Sequence, residues 1–408
     1  MSQFLFGCVL LSALAAHADD HPGEVTAAFD VFSEPAAAQQ ITVLTPSVNG
    51  KIDAAKWLSI KVDWLADVVS GATPSTYGRV DAVSAATQFS ELRNNVGADL
   101  EWRPPGPFSF HTAYHFGIEN DYRSHALSLG AKLDLFHHNT QLWVDYAHNF
   151  DLVCDLNNIG LEATQRQPLG QSAGCFTSAR GLVEEYIAID AVEVGVSQVF
   201  TQRLIGSLLG YFEHDDGFLS NPYRRVRLYN GSVLAQESHP HLRDRGAVGG
   251  RLRYVPGESR GVLGFDGRFY RDTWAITAFN AEASWDHLVA NDHFRYKLRA
   301  RYYHQSRASF YRDAGETNSY EQQGPAGQYF TGDREMSSFG DLLLGVIATY
   351  RLRPSNTPRL GGAFTKFDFT ARLDLVKVFA FTHSPPNLPR VSGVVDAIIA
   401  GVSILAGF

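Results

Sequence analysis

The sequence predicts an all-β fold, a transmembrane antiparallel β-barrel of about 16 strands. Three observations carry that expectation. Segments of strict period-two alternation recur along the chain, short turns alternate with long polar connections, and no internal stretch is apolar enough for a membrane helix. The bulk composition agrees, with 19% charged residues, 12% aromatics and 36 glycines. A formal charge of -8 argues against nucleic acid as a partner, because neutralising phosphates takes a basic surface.

Taken from the start, "MSQFLFGCVLLSALAAHADD" holds a short apolar core and a small-x-small site at Ala16-His17-Ala18. It reads as a cleaved signal peptide over 1–18, which leaves 19–408 as one barrel domain. The first strand is expected near Glu24–Phe32. In "HALSLGAKLDLF", Leu127, Leu129, Ala131, Leu133 and Leu135 share one face, and Ser128, Gly130, Lys132 and Asp134 share the other. "RYKLRARYYHQ" sets Tyr296, Leu298, Ala300 and Tyr302 against Arg295, Lys297, Arg299 and Arg301, and "FTKFDFTARLDLVKVFAF" repeats the pattern. Each run is long for a soluble sheet and suits a tilted strand across a bilayer. A soluble sandwich, the bland alternative, would show shorter strands and more even loops. Trp57, Trp102, Trp274 and Tyr350 sit near segment ends, where interfacial aromatic girdles are placed.

Short turns at 104–107, 137–139, 201–203, 256–260 and 289–292 alternate with long connections near 71–88, 153–182, 216–243 and 306–333. That asymmetry is the pattern of bacterial outer-membrane barrels, with both termini in the periplasm. The closing run "VVDAIIAGVSILAGF" is too short for a membrane helix after Asp396. It reads as the last strand, with Phe408, Ile404 and Val402 on the lipid face as an assembly signal for the barrel assembly machinery. Two cysteines survive removal of the leader, Cys154 and Cys175, and an even pair in an exported chain predicts a disulfide within a long outer loop.

Alternation also names the inward residues. Arg251, Arg253, Arg268, Arg295, Lys297, Arg299 and Arg301 fall on the polar face of nearby strands, with Glu282, Ser284 and Asp286 on the strand between two of them. Two readings follow: a polarised pore wall that attracts anions, or a cross-strand ladder of paired charges. Acid between two basic strands favours the ladder. Imidazoles at His111, His115, His239 and His241, with "EHDDG" at 213–217, offer metal-ligand chemistry, but no C-x-x-C and no spaced quartet supports a metal site. "GQSAG" at 170–174 is not a G-x-S-x-G nucleophile elbow, and no C-x-x-C-H haem site is present. No catalytic residue and no cofactor is therefore expected. The strands begin too soon after the leader for the plug domain of an active importer.

Several stretches in order resemble one family of outer-membrane proteins, the domain of unknown function 3570 family. They are "DVFSEP" (30–35), "DWLADVVSGATP" (63–74), "VDAVSAATQFSELRN" (80–94), "NDYRSHALSLG" (120–130), "LSNPYR" (219–224), "RFYRDTWAI" (268–276), "RYYHQSRASFYRD" (301–313) and "YFTGDREMSSFG" (329–340). The resemblance implies a barrel, an exported location and no assigned activity. Family members encoded beside a thioredoxin-like protein and a flavin-attaching enzyme imply an extracytoplasmic redox setting.

Two functions are thus expected from sequence. One is a passive, porin-like channel for small solutes in the bacterial outer membrane, with Arg299, Arg301 and Glu282 at the constriction. The other is a non-conducting barrel that serves a periplasmic redox partner as a scaffold. The long loops at 221–245 and 310–336, rich in Tyr and Arg, are expected to fold inward and narrow the lumen.

Overall fold

A computed structural model of the chain describes residues 22–34, 42–70, 90–119, 122–155, 183–221, 225–229, 233–289, 293–312, 320, 324–325, 327–352, 364–380 and 395–408. Alternating apolar and polar residues produce extended strands because each face then meets one solvent. The first four are β1 (Gly23–Ser33), β2 (Thr42–Ala55), β3 (Leu58–Ser70) and β4 (Ser90–Trp102). Next come β5 (Phe108–Ile118), β6 (Tyr122–Leu135), β7 (Thr140–Asp155), β8 (Val183–Thr201) and β9 (Leu204–Gly217). A small hairpin, β10 (Arg225–Leu228) and β11 (Val233–Gln236), interrupts the series. Then follow β12 (Leu242–Tyr254), β13 (Gly261–Asp272), β14 (Thr277–Val289), β15 (Phe294–Gln305), β16 (Phe339–Leu352), β17 (Lys366–Ala380) and β18 (Ala397–Gly407).

All strands but β10 and β11 form one closed antiparallel barrel of 16, in the ring order β1-β18-β17-β16-β15-β14-β13-β12-β9-β8-β7-β6-β5-β4-β3-β2. The seam is complete, with Glu24 to Ser33 paired opposite Gly407 to Ile398. Closure removes the edges that an open sheet would leave without partners. Strand parity places the turns at 56–57, 103–107, 136–139, 202–203 and 255–260 on one rim, together with Gly23 and Phe408. The connections that follow β3, β7, β9 and β15 leave from the other.

The outer face is apolar over most of its height. Leu298 and Tyr302 of β15, Phe265 and Phe269 of β13, Leu344 and Val346 of β16, and Val402 and Ile404 of β18 all stand outward and exposed. In water such a belt would be unstable, whereas a bilayer covers it; this is a transmembrane β-barrel. Trp57, Trp102 and Tyr350 are exposed beside the short-turn rim, as a girdle requires. Trp274 is not part of it. That indole is buried in the β13–β14 turn, donates to the Leu242 carbonyl at 3.1 Å and lies under the Arg243 guanidinium, so its place near a segment end reflects loop packing and not lipid contact.

Candidate functional site: the inner wall and its cap

Every inward residue expected from alternation stands on the inner face. The register decides this, since Arg251, Asp266, Glu282 and Arg301 are opposite one another on successive strands while Leu252, Phe265, Ala283 and Ala300 form the outward row. Arg251 and Arg253 both reach Asp266, at 2.6 and 2.8 Å. Arg295 pairs with Asp286. Lys297 and Arg299 share Glu282 at 3.8 Å, and Arg301 binds Asp341 at 3.0 Å. Arg268 lies over the Tyr211 ring, 5.7 Å from its centroid, instead of against a carboxylate.

Other pairs do not join neighbouring strands. Arg299 on β15 reaches across β16 to Asp374 on β17, with Nη2 donating to Oδ2 at 2.5 Å and Nε to Oδ1 at 3.0 Å. The residue between them in the row is Gly345. A Cβ there would collide with Asp374 Oδ1 and crowd the guanidinium. The same arrangement recurs twice. Gly130 on β6 separates His111 on β5 from Asp145 on β7, whose Nε2 and Oδ1 meet at 2.8 Å. Gly97 on β4 separates Asp63 from His115. An inward glycine therefore opens a gap over which side chains two strands apart can pair. Cross-strand pairing ordinarily links nearest strands, so a reading of adjacent strands misses these bridges. The available signal was the glycine itself, placed at a polar position of the alternation.

Asp63, Asp99 and His115 form a group whose donor atoms could take a metal ion, all lying within 4.8 Å of one another. The histidine faces the two carboxylates with opposite ring nitrogens, Nε2 at 3.5 Å from Asp99 and Nδ1 at 3.9 Å from Asp63. Lys61 already occupies Asp99 at 3.0 Å. A tetrahedral ion draws its ligands to about 2.0–2.2 Å around one point, and an imidazole can offer it only one nitrogen. Bridging of two carboxylates by the ring fits this geometry better than metal ligation does. The other histidines are dispersed: His214 faces outward against Asp244 at 2.6 Å, His241 meets the Gly217 carbonyl at 2.9 Å, and His239 is buried.

Above β12–β16 the long connections build a cap. Ser238 and Phe330 exchange both backbone hydrogen bonds at 2.9 Å. Trp274, Ile276, Ala308, Phe310 and Tyr311 make one buried cluster, and Val226, Leu228, Tyr320 and Phe330 make another. Between the loops Glu237 accepts from Thr331 Oγ1 at 2.8 Å and the Asn221 amide at 3.1 Å, while His239 Nδ1 donates to the Leu219 carbonyl at 3.0 Å. Gln305, inward at the top of β15, donates to the carbonyls of Glu335 and Ser337 at 2.7 and 2.8 Å. Arg243 below it holds Asp272 at 2.5 Å. The loops are thus fastened to the inner wall on this side of the ring.

Cys175, residues 1–18, expected to be a signal peptide, and the 170–174 stretch lie outside the described residues, as does the side chain of Cys154. Val402 and Ile404 occupy the outward face of β18. Phe408 closes the seam by exchanging backbone hydrogen bonds with Gly23, at 2.9 and 3.1 Å, and its ring meets Phe364 edge-on.

A closed ring of strands, apolar outside and lined by charge inside, defines the class: an integral membrane barrel. The chain belongs to the family described as "Protein of unknown function (DUF3570)", whose model matches residues 4–364. No curated protein matches it. Among solved structures it is similar to a bacterial polysaccharide outer membrane secretin, at 10% identity and a TM-score of 0.45, covering 95% of this chain and 97% of that one. It is also similar to Pseudomonas aeruginosa OccD3 (OpdP), at 8% identity and TM-score 0.44, covering 96% and 91%. The outer membrane protein opdK from the same organism matches at 7% identity and TM-score 0.43, covering 96% and 99%. The fold assignment rests on the strand register and not on these likenesses.

Proposed function

We propose that the protein is an integral barrel of the bacterial outer membrane that acts as a porin-like passive channel for small solutes. The observation that carries the reading is the wetness of the inner wall. Arg251, near the short-turn rim, points into the barrel and exposes 64% of its side chain, and farther from that rim the inward His115 still exposes 42% and Arg301 36%. In a barrel filled by its own side chains these groups would be buried. A ring of this strand number encloses more space than its side chains fill and leaves room for water. The cap covers the β12–β16 side, which narrows the entrance from the long-loop rim, taken here as the cell exterior. Arg299, Arg301 and Glu282 line the wall beneath it.

A second reading, a non-conducting scaffold for a periplasmic redox partner, draws support from the packed loops of the cap, on which Tyr229 is exposed. Single-channel recording of the refolded protein in a planar bilayer separates the two. Steady stepwise conductance is expected. A folded, heat-modifiable barrel that passes no current would overturn the channel and leave the scaffold standing.

A further inference from the structure

The inner wall is divided by charge around the ring. On β12–β17 the inward cations, among them Arg251, Arg268, Arg299 and Arg372, outnumber the inward carboxylates. On β1–β9 the balance reverses, with Asp30, Asp63, Asp145 and Glu193 among the carboxylates and few cations such as Lys61. The ring order sets these arcs against each other: counted round the barrel, β13 stands opposite β3, β15 opposite β5, and β17 opposite β7. Part of each arc is left without an opposite charge. Among the described residues Arg268 is set against the Tyr211 ring, and Glu193 against the Trp143 indole N–H, at 3.1 Å.

We infer that the lumen favours small zwitterions, solutes that carry a cationic group and a carboxylate on one short skeleton. The inference rests on the channel reading above and names its substrate class. A water-filled bore between walls of opposite sign holds a transverse field, which the low-dielectric barrel concentrates. A simple anion is drawn to one wall and repelled by the other, and a simple cation behaves in mirror image. A neutral solute gains nothing from either wall and must still displace the water that solvates them. A zwitterion turns its carboxylate to the arginines and its ammonium to the aspartates, so both of its charges are stabilised at once.

Alanine and lactamide are isomers, one zwitterionic and one uncharged, and so form a size-matched pair of probes. Their entry into liposomes carrying the purified full chain is followed by osmotic swelling, alongside bilayer conductance. Alanine is expected to enter about twofold faster or more. The ratio should fall toward one in the double variant Arg251→Gln, Arg268→Gln, and likewise in Asp30→Asn, Glu193→Gln on the opposite arc. Two variants on separate walls guard against the misfolding of either. Equal entry of both probes through the native protein would overturn the inference while leaving the channel in place. A preference that survives in both variants would also overturn it. Absence of swelling and of current in a folded barrel would remove the channel reading, and the inference with it.

Discussion

The cap and the inner wall near the short-turn rim use the same residue types in opposite ways. In the cap Glu237, Thr331, His239 and Asp333 are all buried; Thr331 Oγ1 donates to Glu237 and accepts from the Asp333 amide, and His239 donates to the Leu219 carbonyl. On the wall Arg251, Lys61 and Arg295 each have an acidic partner yet remain open to the lumen. Burial, and not the presence of a partner, separates polar groups that hold the fold from those free to meet a solute. A buried polar group cannot lose its partner cheaply, whereas an exposed one replaces it with water.

The comparison is broken most severely at the dry side. Replacing Glu237 by alanine strips Thr331 Oγ1 and the Asn221 amide of their acceptor inside a buried joint. A loss of about 3 kcal/mol is expected, felt as local opening of the cap and not as collapse of the barrel. Chymotrypsin cleavage near Tyr329, followed by mass spectrometry, should then rise well above the native rate. Unchanged protection would mean that the apolar clusters alone hold the loops together.

A smaller effect is expected at the glycine gaps. Alanine in place of glycine inside a strand ordinarily helps by about 0.5–1 kcal/mol. At Gly345 the added Cβ enters the space of the Arg299–Asp374 bridge, and Asp374 is fully buried with two arginines upon it. Gly345→Ala should therefore destabilise by roughly 2 kcal/mol, read from urea unfolding of the barrel in lipid vesicles. Gly210→Ala is the control, since a Cβ there meets only Val194 at ordinary contact distance, 3.4 Å. If both variants shift the unfolding midpoint alike, the gap has no special role.

These gaps also mark where the sequence stopped being readable. The barrel, its strand number and the sidedness of its turns were legible, because period two over long runs and the parity of connections are local properties; Leu127 to Leu135 and Tyr296 to Tyr302 show both faces without any tertiary knowledge. So were the inward arginines. Their partners were not, since Asp374 belongs to a strand two removed from Arg299 and is reached only over a glycine. The cap was half legible. Its loops were marked by Tyr and Arg, but Trp274 was assigned to a lipid girdle, because nothing in sequence distinguishes an indole at a membrane interface from one folded under a loop. The division of charge between arcs depended on ring closure, which sets β15 opposite β5 although long stretches of chain separate them.

The mildest substitution sharpens the comparison from the wet side. Arg251 shares Asp266 with Arg253, so Arg251→Gln leaves that carboxylate paired at 2.8 Å and creates no buried orphan. Its own bridge is open to water, and exposed pairs contribute little. Stability should change by no more than about 0.5 kcal/mol in the same vesicle unfolding assay. The ionic consequence should nevertheless be measurable, because the charge removed faces the lumen: under a salt gradient the reversal potential should move toward cation preference, and the shift should shrink as ionic strength rises and the screening length falls to about 3 Å at 1 M. A stability loss comparable to that of Glu237→Ala, with no change in reversal potential, would place Arg251 with the dry, structural groups and erase the distinction drawn between the two regions.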